Sequence, residues 1–108
     1  MEGTVPMIHV IAVITAKPGQ RENILAHARA NLPAVRAEKG CIEYGVAIDA
    51  EPALKFQTAC CPDTFIFVEK WESMDALKAH AVAPHMVDYA AKIREFIASR
   101  VIHILQPA

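Results

Sequence analysis

The sequence predicts a single α+β domain whose strands and helices follow the order β-α-β-β-α-β. Three observations support this prediction. The chain has 108 residues, a length that suits one domain. Short segments rich in β-branched and aromatic residues alternate with longer segments in which apolar residues recur at helical spacing. The chain contains no internal repeat and no low-complexity tract, so the whole of residues 1–108 is expected to form one unit.

The first half of the chain predicts a strand followed by a long helix. Residues 7–15 are rich in Val and Ile, which favours a strand, and the turn residues up to Gly19 end it. Residues 20–38 predict an amphipathic helix. Pro33 is expected to kink this helix or begin a new turn, and Gly40 to follow its end. Its apolar face consists of Ile24, Leu25, Ala28, Leu32 and Val35.

Two further strands are predicted in the middle of the chain. Residues 41–48 form the first of them, and residues 64–71 form the stronger one, because aromatic and β-branched side chains dominate its sequence TFIFVEKW. Residues 49–63 lie between them, are polar and contain two prolines. They therefore predict an extended hairpin loop, in which residues 55–58 could form a short extra strand.

The last part of the chain predicts two helical segments and a final strand. Ser73 is a suitable N-cap for a short helix, and Pro84 ends that helix or begins the next. Residues 85–98 predict an amphipathic helix, and residues 101–105 a last strand. This order is the split βαβ arrangement, the ferredoxin-like kind of fold.

A four-stranded sheet with helices on one side leaves its other face uncovered. The chain is also 54% hydrophobic, above the roughly 45–50% of ordinary soluble domains. A second copy of the chain is the commonest cover for such a face, so we expect a homodimer.

Composition argues against nucleic-acid and membrane partners. The 11 basic residues nearly balance the 12 acidic ones, and no basic stripe is visible. No apolar run approaches the roughly 18–20 residues that a membrane span requires. The three cysteines, Cys41, Cys60 and Cys61, do not suggest a disulfide framework, and the start of the chain has no secretory pattern. We therefore expect a cytoplasmic protein, with residues 1–6 as a loose lead-in.

Familiar catalytic motifs are missing from the sequence. It has no glycine-rich phosphate loop, no GxSxG and no CxxC. His80 and His85 are five residues apart with Pro84 between them, whereas a helical zinc pair needs four on an unbroken helix. No metal site is predicted.

The informative group of residues is Glu69, Trp71 and His80. Glu69 and Trp71 are two apart on the strongest strand and therefore share a sheet face. His80 lies on the apolar side of the short helix, where Tyr44 and Phe67 could join it from neighbouring strands. Structural roles are the alternatives. Trp71 could fill core volume and His80 could be a core residue with one satisfied hydrogen bond. Glu69 could pair with Arg94 or Lys92.

Several segments together resemble the antibiotic-biosynthesis monooxygenase family, and in particular its quinol monooxygenases. They are Gly-Cys-Ile-Glu-Tyr at residues 40–44, Val-Glu-Lys-Trp-Glu-Ser at 68–73, His80, and Pro-His-Met at 84–86. The resemblance covers about residues 7–105. It implies a ferredoxin-like dimeric α/β barrel with a pocket between the sheet and helices of each subunit. Many members use no metal, flavin or nicotinamide, so no cofactor is expected.

The resemblance also implies roles for individual residues. His80 would act as base or proton relay, Trp71 would wall and orient an aromatic substrate, and Tyr44 would hydrogen-bond a substrate oxygen. Haem-degrading relatives carry an Asn on the first strand, where this sequence has about Ala12, which argues against haem degradation. The expected substrate-contacting residues are Glu69, Phe67, Leu77, His85 and Ala12.

The leading functional hypothesis is a cofactor-independent monooxygenase that oxidises a quinol-like or polycyclic phenolic small molecule with O₂. A deprotonated phenol can supply the electrons itself, so the protein needs an apolar pocket and a proton acceptor. Two alternatives remain open. One is an isomerase or other proton-transfer enzyme on a small carbonyl compound. The other is a non-catalytic dimeric binding protein for apolar ligands.

Overall fold

Strands and helices follow the order β-α-β-β-α-α-β in the computed structural model, which describes residues 6–108. The strands are β1 (Ile8–Ala16), β2 (Cys41–Ala47), β3 (Thr64–Trp71) and β4 (Ile97–Leu105), and the helices are α1 (Arg21–Arg36), α2 (Met74–Ala81) and α3 (Pro84–Ile93). The predicted α+β, ferredoxin-like fold is confirmed. All of the lead-in expected over residues 1–6 except Pro6 lies outside the described residues.

The four strands form one antiparallel sheet in the order β2-β3-β1-β4. The register pairs Ile8 with Trp71, Val10 with Glu69 and Ala12 with Phe67. Because directly opposite residues share a face, this register places the buried residues of β1 and β3 on one side of the sheet. Alternate residues of β1 are buried along its whole length, so that side faces the core.

Helix α1 covers the core through four buried residues, Ile24, Leu25, Ala28 and Val35. The helix continues past Pro33 to Arg36, so no new helix begins there. After the helix, Gly40 has a φ of +84° and lies against α2, where a Cβ would meet the Cβ of Ala76 at 2.6 Å. Only glycine takes this backbone conformation without strain and allows so close an approach.

Helices α2 and α3 follow β3 and are separated by two residues. The Ser73 hydroxyl accepts a hydrogen bond from the Ala76 N–H at 3.1 Å, which confirms the predicted N-cap. Helix α3 ends at Ile93, whereas the sequence predicted a helix to residue 98. The carbonyl of Phe96 accepts from Lys17, and Ile97 pairs with Ala16 of β1. Sheet pairing therefore overrides the helical spacing here, and β4 begins earlier than predicted.

The connection between β2 and β3 is an extended loop. The predicted extra strand at residues 55–58 is wrong, because these residues lie in turns and unpaired segments. The carboxylate of Asp49 accepts from the Cys60 N–H at 2.9 and 3.1 Å, and Gln57 accepts from the Leu54 N–H at 3.1 Å. Local hydrogen bonds thus replace strand pairing, and Phe56 remains 87% exposed.

The sheet face away from the helices carries rows of apolar residues. Ile11 is paired with Val68 and Val13 with Ile66 across β1 and β3, and Val101 of β4 continues the second row. None of these side chains is fully buried within one chain. Across residues 6–108, the structure has no helix long and apolar enough to cross a membrane.

Candidate functional site

A cavity of about 520 Å³ lies between the core face of the sheet and helices α2 and α3. Its walls are mainly aliphatic and aromatic, a character and size typical of small-molecule sites. The polar side chains at its surface are Tyr44, Glu69, Lys78, His80, Tyr89 and Arg100. The apolar ones include Val10, Ala12, Ile14, Phe67, Leu77, Met86, Ile93, Ile102 and Ile104.

Glu69 and Trp71 form a buried pair on β3. The two residues project from the same face of the strand, and the indole Nε1–H donates to Glu69 Oε1 at 2.9 Å. Glu69 is 6% exposed and Trp71 is fully buried. Burial raises the pKa of the Glu69 carboxyl, and the nearby Glu38 raises it further. The indole hydrogen bond and His80 lower this pKa but do not offset the effect of burial.

His80 is held by a carboxylate that lies outside the cavity lining. Its Nδ1 is 2.8 Å from Oε2 of Glu38, which follows α1. This distance fits an Nδ1–H that donates to the carboxylate. His80 Nε2 has no hydrogen-bond partner among residues 6–108 and is not among the fully enclosed unpaired atoms. The neutral ring therefore presents a lone pair at Nε2.

Aromatic rings hold the imidazole of His80 on two sides. The Tyr44 ring lies edge-on with centroids 5.4 Å apart, and the Trp71 ring is tilted at 4.7 Å. Burial raises the pKa of the Tyr44 phenol well above its ordinary value. Tyr44 therefore stays protonated near neutral pH and can donate a hydrogen bond into the cavity.

Tyr89 of α3 contributes a second phenol. Burial raises the pKa of Tyr89 to about 12. Its hydroxyl is enclosed, yet it has no hydrogen-bond partner within the described part of the chain. Buried polar groups are normally paired, so this hydroxyl is available to a molecule in the cavity.

A family model described as "Antibiotic biosynthesis monooxygenase" matches residues 7–92. The chain belongs to this antibiotic biosynthesis monooxygenase family. It is similar to "Probable quinol monooxygenase YgiN" of Escherichia coli (strain K12), with 36% identity over 103 residues that cover 94% of this chain and 98% of the relative. The family resemblance noted in the sequence is therefore confirmed.

Solved structures agree with this membership in the antibiotic biosynthesis monooxygenase family. The crystal structure of PA3566 from Pseudomonas aeruginosa has a TM-score of 0.81 and 25% identity, with 97% of each chain covered. The structure of Rv0793 from Mycobacterium tuberculosis has a TM-score of 0.77 and 25% identity, and the comparison covers 94% of this chain and 95% of that one.

Most of the residues that the family resemblance selects reach the cavity surface. They are Ala12, Tyr44, Phe67, Glu69, Leu77 and His80. Trp71 is placed differently from the expectation, because its side chain is fully buried and lies behind His80 and Glu69 rather than at the surface.

His85 is also displaced from the expected position. It faces a second cavity of about 140 Å³ between α1 and α3, and its Nε2 lies 3.1 Å from Oε2 of Glu38. That distance suits a hydrogen bond, but the ring is not aligned for one, so both His85 nitrogens are unpaired among the described residues.

Two residues of the site were missed by sequence reasoning, and one alternative was wrong. Glu38 contacts His80 across 42 positions of sequence, a separation at which no local pattern applies. Tyr89 lies in residues 85–98, for which the sequence predicted only an amphipathic helix. Glu69 does not pair with Arg94 or Lys92, because its carboxylate turns towards the Trp71 indole. Within residues 6–108, no cluster of three or more His, Cys, Asp or Glu side chains could hold a metal ion.

Proposed function

We propose that the protein is a monooxygenase that oxidises a quinol-like or polycyclic phenol with O₂, with His80 as the base. The observation that carries this proposal is the orientation of His80. Glu38 occupies its Nδ1, and its Nε2 lacks a partner at the wall of an apolar cavity. The similarity to a protein named as a probable quinol monooxygenase supports the same class of reaction.

The first step in this proposal is removal of a phenolic proton. His80 Nε2 accepts the proton, and the Glu38 carboxylate stabilises the imidazolium that results. Tyr44 donates a hydrogen bond to the developing oxyanion, since its raised pKa keeps it protonated. The mainly apolar walls offer few hydrogen bonds to water, and a substrate seated against them strengthens these electrostatic contacts.

The phenolate then donates electrons to O₂. This electron transfer needs no cofactor in the proposed scheme. For a quinol, the balanced products are a hydroxyquinone and one water. One oxygen atom enters the ring and the other leaves as water. The quinol provides all four electrons, two when its oxygens become carbonyls and two when the ring C–H becomes C–OH.

Trp71 has a positioning role in this proposal. Its indole packs against the His80 ring and donates to Glu69, so it orients both groups from behind the cavity wall. We also propose that the apolar sheet face pairs with that of a second copy, as in a dimeric α/β barrel. The paired apolar rows of β1 and β3 support this assembly.

Oxygen uptake by the purified, metal-stripped protein tests the proposed function. The substrates are a 1,4-naphthoquinol and an anthrone, with each rate corrected for autoxidation. His80→Ala should lower kcat/KM by about 10²-fold or more if the imidazole is the base. His27→Ala is the matched control, because His27 lies on α1 and does not line the main cavity.

The outcomes separate the hypotheses. Oxygen uptake that is unchanged in His80→Ala would refute the role of His80 as the base. If no compound gives protein-dependent uptake, the proton-transfer enzyme and the binding protein become the favoured functions. Tight binding of an apolar ligand without turnover, retained in His80→Ala, would then favour the binding protein.

A further inference from the structure

The Glu38 carboxylate lies between two histidines that belong to different helices. The same oxygen, Oε2, is 2.8 Å from His80 Nδ1 and 3.1 Å from His85 Nε2. The Glu38 side chain is only 15% exposed, and that of His80 only 7%. Three proton-carrying groups therefore lie in a row, joined by one hydrogen bond and by one close but misaligned approach.

The two ends of this row open onto different environments. His80 lines the large apolar cavity, whereas His85 lines the smaller cavity between α1 and α3. The other side chains around the smaller cavity are mostly polar or charged and include His27, Asn31, Asp88 and Lys92. Groups of this kind attract water, which an aliphatic wall does not.

We propose that Glu38 and His85 form a proton relay between His80 and the polar cavity. The relay rests on the proposed function, in which His80 takes a proton from the substrate. His80 Nε2 binds that proton and releases its Nδ1 proton to Glu38 Oε2. Glu38 passes a proton to His85 Nε2. A turn of the His85 ring then brings Nδ1, which is enclosed in the resting position, into the polar cavity, where it releases its proton to water.

The path also works in reverse. A proton exported when the substrate ionises returns when reduced oxygen is protonated to water, and this return restores the starting tautomers of both rings. No atom is lost in either direction, since each group gains one proton and gives up one. The relay thus gives His80 a proton path to solvent through the polar cavity, on the side of the ring away from the apolar cavity.

The position of His85 fits a mobile link better than a fixed structural bond. Its Nε2 is within hydrogen-bond distance of Glu38 but is misdirected, and neither ring nitrogen has a partner among residues 6–108. A turn of the ring about its side-chain bonds makes and breaks the contact with Glu38. Next to His85, Met86 accepts a hydrogen bond from Asn31 at 3.4 Å, which ties α3 to α1 beside this contact.

Charged groups lie near both ends of the row. Glu38 is 2.8 Å from His80, and Glu69 lines the same cavity as His80. At the other end, Glu38 is 3.1 Å from His85, and Asp88 and Lys92 line the polar cavity with His85. Proton exchange should therefore be measured at several pH values, so that a change in protonation state caused by a substitution is distinguished from loss of the relay.

The first test uses the ligand-free protein and needs no substrate. Hydrogen-bonded to a carboxylate, the Nδ1 proton of His80 should give a far-downfield NMR signal, and saturation transfer from water measures its exchange rate. In His85→Gln we expect this rate to fall about tenfold or more, equal to a barrier increase of about 1.4 kcal/mol. His85→Phe, which keeps a ring of similar shape, should give the same result if His85→Gln folds poorly.

His27→Gln is the matched control, because His27 lines the same cavity but, unlike His85, has no ring nitrogen within 4 Å of the Glu38 carboxylate. Its exchange rate should equal that of the wild type. An unchanged rate in both His85 variants would overturn the relay. An equal decrease in His27→Gln would also overturn it, since exchange would then depend on general access of water to the polar cavity.

The second test measures oxygen uptake with the naphthoquinol. We expect His85→Gln to lower kcat with little change in KM, and added imidazole to restore part of the rate. A wild type without uptake would refute the proposed function but leave the exchange measurement to decide the relay. Normal kcat in His85→Gln beside an active wild type would refute the relay alone.

Discussion

Replacing Trp71 with Phe tests whether the buried indole stabilises Glu69. Trp71 is fully buried, and its Nε1–H donates to Glu69 Oε1 at 2.9 Å. Phe keeps most of the apolar volume but has no N–H. The Glu69 carboxyl would therefore lose its donor in a place that water hardly reaches, since Glu69 is 6% exposed.

Two contributions set the expected loss of stability. A hydrogen bond to a charged group contributes about 1.5–3 kcal/mol. The smaller ring leaves a residual void of roughly 40 Å³, which costs about 1 kcal/mol at ~24 cal/mol per Å³. The free energy of unfolding should thus fall by about 2.5–4 kcal/mol near neutral pH. The loss should be smaller in acid, where the indole donates to a neutral carboxyl group.

Urea unfolding followed by far-UV circular dichroism is the assay, because the variant has no tryptophan fluorescence. Protein concentration is held constant, since association would change the apparent stability. The matched background is Glu69→Leu, which removes the acceptor, and there Trp71→Phe should cost about 1 kcal/mol or less. Equal losses in the two backgrounds would refute the reasoning that the indole N–H stabilises the carboxylate.

Three further predictions concern other parts of the molecule. Burial raises the pKa of Glu69 above its ordinary value of 4.5, so the contribution of Glu69 to stability is fully present below that value and is lost as pH rises through the folded-state pKa. Glu69→Gln removes this dependence, and its Tm relative to the wild type should rise from acid to neutral pH; a constant difference would contradict the assignment. Gly40→Ala should lower the free energy of unfolding by about 1–3 kcal/mol in urea titrations, because its φ is +84° and the new Cβ would lie 2.6 Å from that of Ala76. A loss too small to measure would mean that the turn and α2 move apart easily. Val68→Lys places a charge on the sheet face away from the helices and should give a monomer by light scattering. Val87→Lys, on the exposed side of α3, should leave the proposed dimer intact. A dimeric Val68→Lys would argue against pairing through this face.

Local patterns in the sequence predicted most of the fold. Richness in β-branched and aromatic residues identified β1 and β3, and Ser73 marked the start of α2. The errors lie where distant contacts decide the backbone. Phe96 and Ile97 have helical spacing with α3, but hydrogen bonds and pairing to β1 draw them into the start of β4. Residues 55–58 have β-forming character but no neighbouring strand to pair with.

The candidate site could be predicted only in part, for the same physical reason. The sequence could select His80, Glu69 and Tyr44, because spacing along one strand or helix assigns each of them to a face. It could not select Glu38, because the contact of Glu38 with His80 depends on how the turn after α1 meets α2. Trp71 contacts Glu69 and His80, but its depth behind the wall depends on packing that spacing cannot describe.

The closeness of the Trp71 and His80 rings gives the protein a built-in optical probe. The chain contains one tryptophan, so all indole emission comes from a ring whose centroid is 4.7 Å from that of His80. A charged imidazolium quenches a neighbouring excited indole more strongly than a neutral imidazole does. Emission intensity therefore follows the charge on His80 in unlabelled protein, and a ligand that takes or gives a proton at that ring changes the signal as it binds.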